Sequence, residues 1–383
     1  MMRAMAQALP PLNDLPTWRA ESGAPAPRRV VLADDTLTAD AAYRLACEGT
    51  GLLWQGDFHN ARQLLQALAR RVDRKPTKKP KTPAPEVTPA QAFHLHRQAQ
   101  GQRARTLAMV LVPMNGDYTI PLRRAPDLRE ACINAWGPAN GDACMVSLRE
   151  LLGLVGAHEW HKKGVEIPAL GEAPHNRIHP HYGVFSPVRG EYVDLVNTTA
   201  IADKSLAFDI GVGTGVLSAV LAKRGVQHIV ATDQDPRALA CAHDNLQRLQ
   251  RLNRVSLVQC DLFPEGRAPL VVCNPPWVPA RPSAPIEHAV YDEGSRMLRG
   301  FLSGLREHLS PQGEGWLILS DLAEHLGLRS RDELLGWIAE GGLQVLGRHD
   351  IRPRHSKATD ARDALHAARA AEVTSLWRLG SVA

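Results

Sequence analysis

Residues 206–215 read Leu-Ala-Phe-Asp-Ile-Gly-Val-Gly-Thr-Gly, and VLSAVLAKRG follows directly. An apolar run entering a glycine-rich turn and leaving through a helical pattern is a strand–turn–helix. Its glycines let the backbone approach a ligand closely, and the helix brings free N–H groups beside it. The spacing narrows the choice of ligand. A dinucleotide fingerprint needs its last glycine where Val216 stands, and a phosphate loop ends in Gly-Lys-Ser/Thr, whereas this turn holds no lysine.

Working outward, the segments LAFDIG, HIVATD, VSLVQC, PLVVCN and GWLILSD are strand-like. They alternate with helical stretches such as PRALACAHDNLQRLQRL and RMLRGFLSGLREHL. This alternation predicts βαβ units: an α/β, doubly wound, mostly parallel sheet of seven strands covered on both faces. The last two runs, LQVLGRHDI and AEVTSLWRL, have no helical pattern between them long enough to cover a crossover, so they are expected to pair antiparallel at the sheet edge.

Acids fall at the ends of three successive strands: Asp209, Asp233 and Asp261. The carboxyl ends of parallel strands are where such sheets bind ligands, and a carboxylate about 20 residues beyond the glycines suits ribose hydroxyls. Read singly, Asp233 also fits a turn and Asp261 a helix cap. The fourth strand runs into VVCNPPW, residues 271–277. Prolines offer no N–H and hold φ fixed, so a carbonyl there keeps its direction. Read alone, the stretch also fits a strand ending in a proline turn with a buried tryptophan.

Together these residues resemble class I S-adenosylmethionine-dependent methyltransferases. Asp209, Gly211, Gly213 and Gly215 resemble that family's first motif, and the resemblance implies that Asp209 faces the amino-acid end of the cofactor, Asp233 the ribose and Asp261 the adenine amino group. Asn274, Pro275, Pro276 and Trp277 resemble the Asn/Asp-Pro-Pro-aromatic motif of amino-methyltransferases. In that reading the Asn274 side-chain oxygen and the Pro275 carbonyl accept the two protons of a planar nitrogen. Its lone pair, otherwise delocalised and weakly nucleophilic, is thereby aimed at the methyl group, and Trp277 offers a flat face to the substrate. Residues 182–196, YGVFSPVRGEYVDLV, are similar to a segment of the protein-glutamine N5-methyltransferases and the methyltransferase small domain group, which implies cofactor or substrate contacts from Pro187 and Arg189. The glutamine enzymes usually end their motif in tyrosine, where this chain has Trp277.

The bulk properties fit that reading. The 383 residues are enough for two domains, and 44% hydrophobic against 22% charged residues is a globular composition. The longest apolar run, residues 107–114, is far short of the roughly 20 residues a membrane helix needs, and the N-terminus lacks a secretory pattern. The expectation is a cytoplasmic protein with no membrane association. Six scattered cysteines form no CxxC pair, predicting reduced thiols. The net charge of +5 is compatible with an acidic partner such as RNA.

Residues 1–165 are expected to be an N-terminal α+β accessory domain that recruits the substrate, and residues 166–383 the methyltransferase domain. The first part has helical patterns within 38–72 and an apparent hairpin, LAMVLVPMNGDYTIPL, turning at Asn115–Gly116. Residues 74–89, RKPTKKPKTPAPEVTP, form a basic, proline-rich linker. His158, His161, His175, His179 and His181 lack the spacing of a zinc site, so no metal is expected.

The expected activity is S-adenosylmethionine-dependent N-methylation of a planar amide or amino nitrogen on a macromolecular acceptor, protein or RNA. A protein glutamine in the translation apparatus comes first. The alternatives are an adenine or guanine amino group in rRNA, tRNA or DNA and, in another class, a non-catalytic cofactor-binding scaffold.

Overall fold

The computed structural model describes residues 16–74, 87–188, 190–282, 287, 289–353 and 363–382. Most of the basic linker lies outside them. The chain divides into two compact units, Met1–Val87 with His94–Glu159 and Thr88–Phe93 with Trp160–Ala383. The division falls after Glu159 rather than after residue 165.

In the first unit, strands β1 (Thr17–Arg19), β2 (Arg29–Ala33), β3 (Thr50–Trp54), β4 (Val110–Met114) and β5 (Cys144–Ser147) form one sheet in the order β1-β5-β4-β3-β2. Helix α1 (Ala39–Cys47) joins β2 to β3; α2 (Phe58–Val72) and α3 (Pro89–Leu107) fall between β3 and β4. Helices α4 (Arg129–Trp136) and α5 (Leu148–Lys163) flank β5. Strands and helices are mixed as expected, but β1–β5, β2–β3 and β3–β4 pair in parallel. The hairpin at Asn115–Gly116 is not formed. The turn itself is present, with the Tyr118 N–H donating to the Asn115 carbonyl at 2.9 Å. Both edges of β4 are already taken, by β3 and by antiparallel β5, so no edge remains for a returning strand.

The second unit is built on β8 (Leu206–Ile210), β9 (His228–Asp233), β10 (Val255–Gln259), β11 (Ala268–Cys273), β12 (Leu309–Ser320), β13 (Leu343–Ile351) and β14 (Thr374–Ser381), after a small hairpin of β6 (Val165–Glu166) and β7 (Arg177–Ile178). The seven strands lie in the order β10-β9-β8-β11-β12-β14-β13, with the first five parallel and β14 antiparallel to both neighbours. The expected antiparallel pair is there, with β14 inside the sheet and β13 at its edge.

Alternating side chains of these strands feed two cores. Ala207, Ile229, Val272, Ile318 and Leu376 face one way, into helices α6 (Glu191–Thr198), α7 (Val216–Lys223) and α8 (Pro236–Arg248). Phe208, Val271, Leu317 and Leu379 face the other way, toward α9 (Arg296–His308) and α11 (Arg331–Glu340); α10 (Leu322–His325) is a single turn after β12. A strand buried on both faces reads as a continuous apolar run, which is why its alternation is invisible in sequence. On α9, Leu298, Phe301, Leu302 and Leu305 are fully buried, each contributing about 1.5–3 kcal/mol of apolar transfer. Sheet order reverses between β8 and β11, the crevice at which open α/β sheets bind ligands.

Candidate active site

Cys273 on β11 lies in register with Ile210 on β8. The residues that follow, Asn274 on one strand and Gly211 on the other, therefore emerge side by side at the switch point. They line one cavity of about 960 Å³, within the usual range for small-molecule sites. Gly213, Asp233, Asp261, Pro275, Pro276 and Trp277 line it too.

The glycine turn is tied down by its backbone. The Gly211 and Val212 N–H groups both donate to the Thr232 carbonyl, at 2.9 and 2.8 Å, and the Gly215 N–H donates to Val212 O at 2.8 Å. Gly211 has φ +77°, and a Cβ there would sit 2.7 Å from the Met297 methyl carbon. Gly213 has φ +53°, but a Cβ there would meet no protein atom within 4 Å. Its open side belongs to the cavity, a cradle suited to a ligand that packs on bare backbone. Gly215 caps α7 and does not line the cavity.

Asp233 ends β9 beside that cradle. Its Oδ2 accepts the Gly213 N–H at 3.1 Å and its Oδ1 the Asp235 N–H at 3.0 Å. Burial raises its pKa above the usual carboxylate value. Each oxygen keeps a further lone pair for a hydroxyl donor. Asp261 is more exposed and is held by Arg296, whose Nη1 and Nη2 lie 3.0 and 3.3 Å from its two oxygens.

Asp209 is placed differently from the expectation. It is 1% exposed, absent from the cavity wall, and accepts a hydrogen bond from Ser218 Oγ. Burial pushes its carboxyl up to about 6. Tyr192, which does line the cavity, has its phenol raised by its own burial first and by the Asp209 charge second. Pro187 is buried and is not part of the cavity wall, while Arg189 lies outside the described residues. The contribution of this segment to the wall is Gly183, Val184 and Phe185.

Within residues 274–277, the Trp277 Nε1–H donates to Asn274 Oδ1 at 2.9 Å. Beyond the motif, Val278 bridges to Tyr291, and the Asp292 carboxylate accepts the Met297 and Leu298 N–H groups to cap α9.

Several site residues gave no sequence signal. Asn245 is 1% exposed; its Oδ1 accepts the His179 N–H at 2.7 Å and its Nδ2 donates to Thr214 O at 3.1 Å, which anchors the glycine turn from α8. Ser218, Arg296 and Asp292 are ordinary helix and loop residues until the fold assembles them. Among the histidines, His161 and His179 direct Nδ1 at backbone carbonyls, and His181 pairs with Asp244 at 3.2 Å. Among the described residues no group of three or more His, Cys, Asp or Glu is arranged to hold a metal.

Strand order and the glycine turn at the switch point are those of class I S-adenosylmethionine-dependent methyltransferases. Residues 176–328 match the methyltransferase small domain family. A Methanocaldococcus jannaschii protein provisionally named a protein N5-glutamine methyltransferase is 29% identical over 38% of this chain and 76% of its own length. The tRNA1(Val) (adenine(37)-N6)-methyltransferase of Shewanella loihica is 28% identical, over 45% of this chain and 72% of the relative. The release factor glutamine methyltransferase of Cereibacter sphaeroides is 29% identical, over 47% and 65%.

Proposed function

We propose that this methyltransferase acts on a planar amide or amino nitrogen, first a protein glutamine in the translation apparatus and second an amino group of RNA or DNA. The observation that carries the reading is that the glycine turn, Asp233 and residues 274–277 border one cavity. The names of two relatives favour the glutamine side chain and one favours an RNA base.

S-adenosylmethionine, when bound, supplies an electrophilic methyl group on sulfur. Gly213 would pack against it, Asp233 would accept hydrogen bonds from the ribose hydroxyls, and Asp261, steadied by Arg296, would accept the adenine amino group. Asp209 would act from behind, setting the charge beneath the turn. Asn274 Oδ1 and the Pro275 carbonyl accept the N–H bonds of the substrate's NH₂ group and leave its lone pair directed at the methyl. A base is not needed before transfer, because the proton leaves only once the nitrogen has become cationic. Positioning of this kind lowers barriers by about 7–11 kcal/mol in favourable systems.

The first unit would recruit the acceptor, with the basic residues of 74–89 adding salt-dependent attraction if that acceptor is nucleic acid. No helix among the described residues is long and apolar enough to cross a membrane. We assign the protein to the cytoplasm, where release factors and transfer RNA work.

The test is transfer of tritiated methyl from S-adenosylmethionine into an extract of cells lacking the protein, fractionated into protein, RNA and DNA. Label in glutamine side chains is the expected result. Label only in nucleic acid selects the second substrate, and no label in any fraction overturns the reading.

A further inference from the structure

We propose that Trp277 is a positioning residue that sets the amide of Asn274 through its indole N–H, an inference that rests on the N-methyltransferase reading above.

An asparagine amide has an acceptor end and a donor end of nearly identical shape, and only its hydrogen-bond partners decide which faces a given direction. Asn274 needs its oxygen at the nitrogen of the substrate. Turned over, it would present two N–H groups to a substrate that also carries N–H groups, and donor would face donor. The indole Nε1–H can only donate. Placed 2.9 Å from Asn274, it accepts the oxygen end and rejects the amino end. A carbonyl-type oxygen has two lone pairs, so one stays bound to Trp277 while the other serves the substrate.

The indole is itself held in place. Trp277 is half-buried and packs against three separate hydrophobic clusters, one on each face of the seven-stranded sheet and a third around Phe93, Val278 and Leu326. A ring wedged among three clusters has little freedom to rotate, so the direction of its N–H is set by the core. Tyrosine or phenylalanine at the last motif position would keep an aromatic face but would lack a donor at the indole position. The amide orientation is thus tied to the particular aromatic residue this chain carries.

The test compares wild type, Trp277→Phe, Asn274→Asp and the double variant in initial rates of tritiated methyl transfer, with the extract of deletion cells titrated as acceptor. Binding of S-adenosylhomocysteine, unchanged in every variant, serves as the folding control. Phenylalanine keeps the ring but removes the N–H. Aspartate has two equivalent oxygens, so an orienting donor has nothing left to choose.

The expected result is a fall in kcat of about 10-fold for Trp277→Phe, the worth of one neutral hydrogen bond, with apparent KM within about 2-fold. In the Asn274→Asp background the same change should cost less than about 2-fold. Equal losses in both backgrounds, an unchanged kcat, or a loss confined to KM would each overturn the proposal and leave Trp277 as a packing surface. Should Asn274→Asp be inactive, the split between kcat and KM in Trp277→Phe decides. Failure of the underlying reading looks different: Asn274→Ala would then transfer methyl at the wild-type rate.

Discussion

Ser218 Oγ donates a 2.6 Å hydrogen bond to Oδ2 of Asp209, joining the first turn of α7 to the strand it follows in a place that water does not reach. One hydroxyl is little help to a buried carboxylate, and desolvation remains the larger effect, leaving Asp209 with a pKa of about 6 against an ordinary 3.8. A folded-state value above the unfolded one means that the native protein holds this proton more tightly. The stabilisation from that proton is complete below about pH 3.8 and is lost as pH rises through about 6. Asp209→Asn cannot ionise. Its stability relative to wild type should therefore improve by on the order of 2 kcal/mol between pH 4 and pH 7, measured by urea unfolding at both pH values. Parallel pH profiles for the two proteins would show that Asp209 is not the titrating group.

The positions of the two carboxylates also separate their effects on the cofactor. Asp233 borders the cavity and Asp209 does not. Calorimetry with S-adenosylhomocysteine should show Asp233→Ala weakening binding by on the order of 100-fold, two hydrogen bonds to a charged acceptor. Asp209→Asn should cost less than about 5-fold. Equal losses would mean that Asp209 reaches the ligand directly.

At Gly211 two penalties coincide, the left-handed φ of +77° and the Met297 methyl 2.7 Å from any Cβ. Gly211→Ala should destabilise the protein by about 1–2 kcal/mol from the backbone alone, with the clash in addition. Met297→Ala in the same chain should recover only the clash. Thermal unfolding of the two variants checks this, and complete recovery would show that the backbone conformation costs nothing.

For Asn274→Ala the expectation is an affinity for S-adenosylhomocysteine within about 2-fold of wild type and methyl transfer reduced by at least about 100-fold, as when one preorganised hydrogen-bonding group is removed from an active site. Calorimetry and the tritium assay together decide it; a parallel loss of cofactor binding would move Asn274 from the substrate to the cofactor.

Much of this was legible in the chain itself. The doubly wound sheet followed from strand-like and helical runs of the right lengths, and the antiparallel pairing of β13 with β14 from the missing crossover helix. The chain placed Asn274 at the same carboxyl edge as the glycine turn, while the adjacency of their two strands shows only in the sheet order. Other features depended on partners remote in sequence. The turn at Asn115–Gly116 carries the local signature of a hairpin, but β4 is claimed by β3 and by β5, and local turn chemistry does not report that competition. Asp209 looked like a ligand contact because it precedes the glycines, whereas strand alternation turns its side chain inward to Ser218. The Trp277 N–H bond spans only three residues, yet it depends on a ring direction set by three clusters assembled from the whole second unit.

The place of β14 has a bearing on synthesis. Residues 374–381 form a strand between β12 and β13, so each of those two waits for a neighbour that is made after both of them. Until then β12 keeps an open edge on the side away from β11, the strand that leads to Asn274. A chain stopped before residue 374 should therefore expose that edge to other proteins and aggregate.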